Sequence, residues 1–514
     1  MTRTFVIGLD GASWLLLEPW LEDGTLPKLA AFRENGTWST SQSCLPPVTF
    51  PNWKCYSSGK NPGGFGVYWF ERIRLDEGRI DIMNRTDFDT AEYWDYLNDA
   101  GYTTGVVNMP TMYPPRDLDG FVVCGGPDAV DGEYRTIDSG YTHPESLESE
   151  LEDRYNYRVH PSPMLSSNQE RGAEVEEILE LLDLRLQVAY DRFQEEETDV
   201  VHVTLFYLNV LQHFFWNDTP TKRAWELVDE WIGRLDELKD TNIVLMSDHG
   251  CAPTTTEFYI NEWLAENGYL TKRQTVEDTF QRVGLTRENA LTVAKQLGIV
   301  DQLAKAVPER IQQLIPQEAG AKRQRKLEKI DLTATQAVAS GQGPIYIHPD
   351  VDTDRVVDSL VTELSSVTDD RGEPLFDAVY RAEEVYSGPY ATTGPAIIVD
   401  MRPGVHVNDG LGGGETQTEP DRWAAENSRH GIFAAKGPDI TAAGNLGETA
   451  ITDIAPTILA GLGVDIPTDM VGEILPIFED EPAVGEQEPL SLTAAENQQY
   501  DEVADRLKQL GYME

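Results

Sequence analysis

Short apolar runs that stop at polar residues, separated by stretches of helical spacing, constrain this chain most. The run TFVIGLD ends at Asp10-Gly11 and reads as a buried strand feeding a turn. Helical spacing follows over 13–34 and again over 90–101, which leads into the strand-like TTGVVNMP. A helix over about 170–196 leads into DVVHVTLFY, and one over about 220–239 leads into TNIVLMSDHG. Strands alternating with helices predict an α/β fold, a mostly parallel central sheet with helices on both faces. Ligands of such sheets sit beyond the carboxyl ends of the strands. Asp10, Tyr207 to Asn209, and Asp248-His249 all fall there.

Residues 266–335 interrupt the alternation with helical, strand-poor sequence and read as an inserted helical cap. It holds the one basic cluster, Lys322, Arg323, Arg325, Lys326 and Lys329. Strand-like segments return at GPIYIHP and GPAIIVDM, and a last core unit runs HGIFAAKGP then ITDIAPTILAGLGV. The expected division is an α/β core over 1–265 and 336–477, the cap over 266–335, and an acidic tether with a C-terminal helix over 478–514.

Charge narrows the partners. Lys and Arg number 41 against 88 Asp and Glu, a net charge of −47 over 514 residues. Such a surface repels nucleic acid and anionic membranes. Only 13 of the 41 cations are lysine. Acidic excess with few lysines is expected of a protein from a salt-loaded cytoplasm, as in halophilic archaea, where molar salt screens self-repulsion. No apolar run is long enough to span a membrane, and the N-terminal run Phe5 to Leu9 is too short for a secretory signal. A soluble, cytoplasmic protein is expected. The four cysteines, Cys44, Cys55, Cys124 and Cys251, are widely spread and are expected to be free thiols.

Several residues could ligate metal. Asp10 ends the first strand, Thr49 lies in PPVTFPNW with Asn52 three residues on, and Asp248 and His249 are adjacent. Asn209 and His213 are four apart, on one face of any helix that begins there. His430 lies in ENSRHGIF. Imidazole and carboxylate suit zinc or manganese. Two such ions a few Å apart clamp the attacking and leaving oxygens of a phosphoryl transfer. Each piece alone has an ordinary reading: Asp-Gly is commonly a turn, a Thr in such a place a helix cap. Lys54, one turn after Thr49, either binds substrate phosphate or pairs with an acidic neighbour.

Taken in order, these segments resemble the alkaline phosphatase superfamily, in its type I phosphodiesterase/nucleotide pyrophosphatase branch. The resemblance is carried by FVIGLDGAS, LPPVTFPNWKCYSSGKNP, YWDYLNDAGYTTGVVNMPTMYPP, VLMSDHG, RHGIFAAKGP, ITDIAPTILAGLGV and the closing LKQLGYME. It implies a two-metal centre, with Asp10, Thr49, Asp248 and His249 on one ion and Asn209, His213 and His430 on the other. It implies that Thr49 attacks phosphorus, and that Asn52 donates a hydrogen bond to a phosphoryl oxygen. Two departures stand out. The family has Asp where this chain has Asn209, which removes a charge from the second metal. The run GKNPGGFGVYWF lacks the His-Gly that often follows the family's Gly-x-x-Pro turn.

The expected function is therefore a metal-dependent phosphodiesterase acting on a small-molecule, glycan or lipid-linked phosphodiester. Two competitors remain: a phosphomonoesterase, phosphomutase or sulfatase on the same scaffold, and a binding protein that kept the scaffold without catalysis. A typical sulfatase needs a C/S-x-P-x-R motif, which the stretch around Thr49 lacks.

Overall fold

The computed structural model describes residues 2–491 apart from 84, 89, 130–136, 138, 162–171, 274–325, 412 and 421–422. Most of the expected cap and the expected C-terminal helix lie outside the described residues.

A nine-stranded sheet organises the chain. From one edge its strands run Gly444–Ala450, Thr37–Gln42, His430–Lys436, Thr241–Met246, Arg3–Gly8, Val200–Thr204, Thr104–Val107, Gly120–Val123 and Thr142–His143. Five of its eight pairings are parallel, including all four from Thr241–Met246 to Gly120–Val123. The remaining three are antiparallel and involve His430–Lys436 and the short edge strand Thr142–His143. The α/β fold with a mostly parallel sheet is as the sequence predicts.

Helices on both faces explain why the central strands read as unbroken apolar runs rather than alternating ones. Phe5, Val6, Ile7, Val201, Val203, Leu245 and Met246 are all fully buried. Each such side chain contributes about 1.5–3 kcal/mol by leaving water. The covering helices are amphipathic. Thr219–Leu235 starts with Pro220 in its first turn and buries Trp225, Val228, Trp231, Ile232 and Leu235 along one stripe. Gly172–Glu195 buries Ile178, Leu181, Leu182, Leu186, Ala189 and Phe193. The expected helix over 13–34 is two, Trp14–Glu22 and Pro27–Glu34. Asp23-Gly24 separates them, with Gly24 at φ +78°, a left-handed conformation that ends a helix.

One boundary differs from the expected division. The stretch 336–477 does not simply resume the main sheet. Ala337–Ala339, Ile345–Ile347, Ile397–Met401 and Phe376–Arg381 form a separate antiparallel four-stranded sheet. The helix Thr353–Leu364 lays Val356, Val357, Leu360 and Leu364 into a second hydrophobic core. Short antiparallel strands joined by tight connections pair with one another before they can reach a distant parallel sheet. The chain rejoins the main body at Ala425–Ser428, which pairs with Gly250–Pro253, and at His430–Lys436. From the basic cluster, Lys326 is described. Its ammonium reaches Glu71 at 3.0 Å and also pairs with Asp409, so it ties three distant stretches of chain together. All four cysteines are free.

Candidate metal centre and nucleophile

Strand register sets the site. Gly8 pairs with Met246, so Asp10 and Asp248 each lie two residues beyond the same edge of the sheet. Thr204, paired with Gly8 on the other side, leads into the helix Phe206–Phe215 that carries Asn209 and His213. Thr49 is the first residue of the helix Thr49–Ser58, after an extended Val48. Thus four separate segments converge at the carboxyl ends of parallel strands.

Asp10, Asp248 and His249 are completely buried, and their ligating atoms lie within 4.8 Å of one another. His249 Nε2 is 3.2 Å from Asp248 Oδ2, 3.8 Å from Asp10 Oδ1 and 3.2 Å from the Thr49 hydroxyl. The other atom of each group is already committed. His249 Nδ1 donates to the Gly250 carbonyl at 2.8 Å, which leaves a lone pair on Nε2. Trp53 Nε1 donates to Asp10 Oδ2 at 3.0 Å, and the Gly11 amide donates to Asp248 Oδ1 at 3.2 Å. Asp10 Oδ1 and Asp248 Oδ2 are left buried without a hydrogen-bond partner.

These residues fit a divalent cation. Ligands about 2.0–2.2 Å from a tetrahedral ion stand roughly 3.4 Å apart, close to the spacings seen here. Burial pushes the Asp10 carboxyl up to about 8, and burial with the nearby Asp10 charge pushes Asp248 well above the usual carboxylate range. Burial pushes the His249 imidazole down to about 4. Two crowded carboxylates and a neutral imidazole are the combination that a cation stabilises.

The second group of expected ligands is arranged differently. His213 Nδ1 donates to the Ala425 carbonyl at 2.8 Å, and Asn209 Nδ2 lies 3.2 Å from His213 Nε2. Asn209 Nδ2 also donates to Asn427 Oδ1 at 3.3 Å. The partner that reaches Asn209 across the pocket is therefore Asn427, from the strand Ala425–Ser428. His430 opens the next strand, half-buried, and its charge acts on Asp400. Its backbone passes so close to Gly250 that a Cβ there would meet the His430 carbonyl at 1.9 Å. Gly11 is likewise required: at φ +69° a Cβ would meet Asn209 Oδ1 at 2.2 Å.

Asn52 and Lys54 have defined partners. Asn52 Nδ2 donates to the carbonyls of Pro46 (2.9 Å) and Val48 (3.0 Å), so both its amide hydrogens hold the loop leading into Thr49. Lys54 points into the protein and pairs with Glu92 at 2.7 Å, in a buried network with Ser57, Arg116 and Asp95. Of the two readings of Lys54, the acidic neighbour is the one seen. Sequence reasoning missed Trp53 and Asn427. Trp53 is four residues after Thr49, a spacing that places both on one helical face. For Asn427 the sequence carries no comparable signal.

Comparison with known proteins bears on the family and the fold. The family model of type I phosphodiesterase / nucleotide pyrophosphatase matches residues 4–432. No curated protein matches the chain. Among solved structures, phosphonoacetate hydrolase from Sinorhizobium meliloti 1021, in complex with phosphonoformate, is similar with a TM-score of 0.53 at 14% identity, covering 84% of this chain and 89% of that one. That likeness is one of fold. Murine ectonucleotide pyrophosphatase / phosphodiesterase 5 has a TM-score of 0.46 at 13% identity, covering 90% of this chain and 95% of that one. With a family match over most of its length and the fold to go with it, the chain belongs to the type I phosphodiesterase / nucleotide pyrophosphatase family of the alkaline phosphatase superfamily, hydrolases that act on phosphate esters.

Proposed function

We propose that the protein hydrolyses a phosphodiester through a covalent intermediate on Thr49. The observation that carries this is the Thr49 hydroxyl, 3.2 Å from His249 Nε2 and beside the two partnerless carboxylate oxygens. Asp10, Asp248 and His249 would hold a divalent ion, which when bound would supply positive charge to the phosphoryl group and lower the pKa of a nearby hydroxyl. Zinc and manganese both suit this donor set.

The chain's own residues do the rest. His249, fixed through Nδ1 by the Gly250 carbonyl, holds Nε2 3.2 Å from the Thr49 oxygen; its one lone pair accepts the Thr49 O–H here and would pass to the ion once it binds, leaving the oxygen in place. Thr49 Oγ1 gives its proton to solvent and attacks phosphorus, the P–O bond to the leaving alcohol breaks, and the leaving oxygen takes a proton from solvent. Water then attacks the phosphothreonine, releasing a phosphate monoester and restoring the hydroxyl. The position of Thr49 at a helix start favours the phosphoryl's negative charge through the positive end of the helix. Asn52 acts as a positioning residue, holding the Pro46–Val48 backbone in place.

A diester is favoured over a monoester because Lys54 is committed to Glu92 and offers no charge to a dianion. The surface charge supports a salt-rich cytoplasm as the setting. Among the described residues no helix is long and apolar enough to cross a membrane.

The test is a substrate panel in molar potassium chloride with added zinc or manganese: a chromogenic phosphodiester, the matching monoester and the matching sulfate ester. The diester should be the best substrate, and Thr49→Ala should lose turnover of it. Preference for the monoester or sulfate would replace this reading with a different esterase on the same scaffold. No turnover of any of the three would leave a binding protein.

A further inference from the structure

The two halves of the centre differ in chemistry. The first presents two carboxylate oxygens without hydrogen-bond partners and an imidazole nitrogen that faces the Thr49 hydroxyl. The second presents Asn209, His213 and Asn427, three groups with no formal negative charge. Both His213 Nε2 and Asn427 Oδ1 are engaged by the Asn209 amide. Asn209 Nδ2 lies against His213 Nε2 and Asn427 Oδ1, at 3.2 and 3.3 Å. No side-chain atom of Asn209, His213 or Asn427 is among the buried atoms left without a partner.

The orientation of the Asn209 amide is fixed from behind. Gln212 Nε2 donates to the Gly11 carbonyl at 3.1 Å and faces Asn209 Oδ1 at 3.4 Å, while Trp225 Nε1 donates to Gln212 Oε1 at 3.3 Å. The Asn209 oxygen is thereby turned toward Gln212, and its N–H groups face His213 and Asn427. A cation placed between these residues would meet the N–H hydrogens of Asn209 where it needs a lone pair, and the His213 Nε2 and Asn427 Oδ1 lone pairs are already taken by that amide. The acidic neighbour in sequence, Glu426, is also committed. Its Oε1 accepts from Gln342 Nε2 at 2.7 Å and from the Asn427 amide at 2.8 Å, and its other oxygen pairs with His406.

We infer that the centre takes one divalent ion rather than two, because Asn209, His213 and Asn427 form a neutral, mutually bonded cluster in place of a second ligand set. The inference rests on the preceding reading of Asp10, Asp248 and His249 as a metal site. It also deepens that reading, since one dication matches the single negative charge of a phosphodiester better than the two of a monoester.

Metal stoichiometry tests it. The full chain is stripped with chelator in molar potassium chloride and dialysed to equilibrium against Mn2+, and bound metal is counted by plasma emission. One equivalent per chain is expected. Asp248→Asn should lose it, and His213→Ala should keep it. The double variant Asn209→Asp with Asn427→His, which adds a carboxylate and an imidazole to the cluster, should bind a second equivalent. Two equivalents in the unaltered chain, falling to one in His213→Ala, would overturn the inference while leaving the metal reading intact. No bound metal in the unaltered chain would defeat the metal reading itself. A folded double variant, judged by circular dichroism, that still binds one equivalent would show that these two amides are not what excludes the ion. The stoichiometry of the unaltered chain decides the main point even if every variant fails to fold.

Discussion

Trp53 donates its indole N–H to Asp10 Oδ2 across 3.0 Å, and so locks the helix that begins with Thr49 to the end of the first strand. Thr49 and the Asp10 carboxylate are thereby held in one rigid unit. The bond also decides which Asp10 oxygen remains for a cation, because it occupies one and leaves the other without a partner.

Trp53→Phe keeps most of the packing and removes this bond. Orienting bonds behind metal ligands typically carry 10–100-fold in affinity or activity, so Mn2+ affinity should fall by roughly tenfold or more. Removing the donor also leaves a buried acceptor, at a cost of about 1–3 kcal/mol in stability. Calorimetric titration that finds unchanged Mn2+ affinity would show that Asp10 needs no second contact to act as a ligand.

Thr49→Ala should separate binding from chemistry. Among the described residues no other hydroxyl is hydrogen-bonded to His249 Nε2, so turnover of the chromogenic diester should fall by several orders of magnitude. Metal content should fall little, since Asp10, Asp248 and His249 remain. Substantial residual turnover would mean that water attacks the diester directly, without a phosphothreonine.

Lys54→Met tests whether this lysine serves the fold or the substrate. The ammonium is buried and bonded to Glu92, which also pairs with Arg116. Breaking a buried pair from one side costs about 3–5 kcal/mol, so the melting temperature should drop sharply while KM for the diester stays near its original value. A raised KM with an unchanged melting temperature would place Lys54 at the substrate instead.

Acid should destabilise the protein through buried histidines outside the candidate ligand set. Burial pushes His202 down to about 3 and His160 down to about 4. Both are below the unfolded value of about 6.5, so the unfolded chain binds more protons in that window. Their contribution is fully present above pH 6.5 and is lost as pH falls toward 4 and then 3. The melting temperature should therefore decline from pH 6.5 to 4. In His160→Gln that decline should be shallower, even if the variant melts lower at pH 7. An equally steep decline in the variant would assign the acid sensitivity to other groups.

Salt should stabilise strongly. With a net charge of −47, surface carboxylates repel one another in dilute buffer. The screening length shrinks from about 10 Å at 0.1 M to about 3 Å at 1 M. Melting temperature should rise with potassium chloride and level off in the molar range. A flat profile from 0.1 to 2 M would remove the argument for a salt-adapted protein.

The sequence by itself determined the order of strands and helices, because apolar run length and helical spacing are local properties. It also placed Asp10, Asp248 and His249 just beyond strand ends, and Thr49 near a helix start. Parallel strands share one edge, so such residues meet whenever their strands are neighbours. What the sequence could not decide was who faces whom across long separations. Asn209 meets Asn427 218 residues away. That contact depends on how Ala425–Ser428 pairs with Gly250–Pro253, and no local pattern encodes the pairing. The direction of Lys54 was equally open until the fold put Glu92 beneath it. The separate sheet of 337–401 was hidden for the same reason: a short apolar strand has the same pattern whichever sheet it joins, and only tertiary pairing chooses between them.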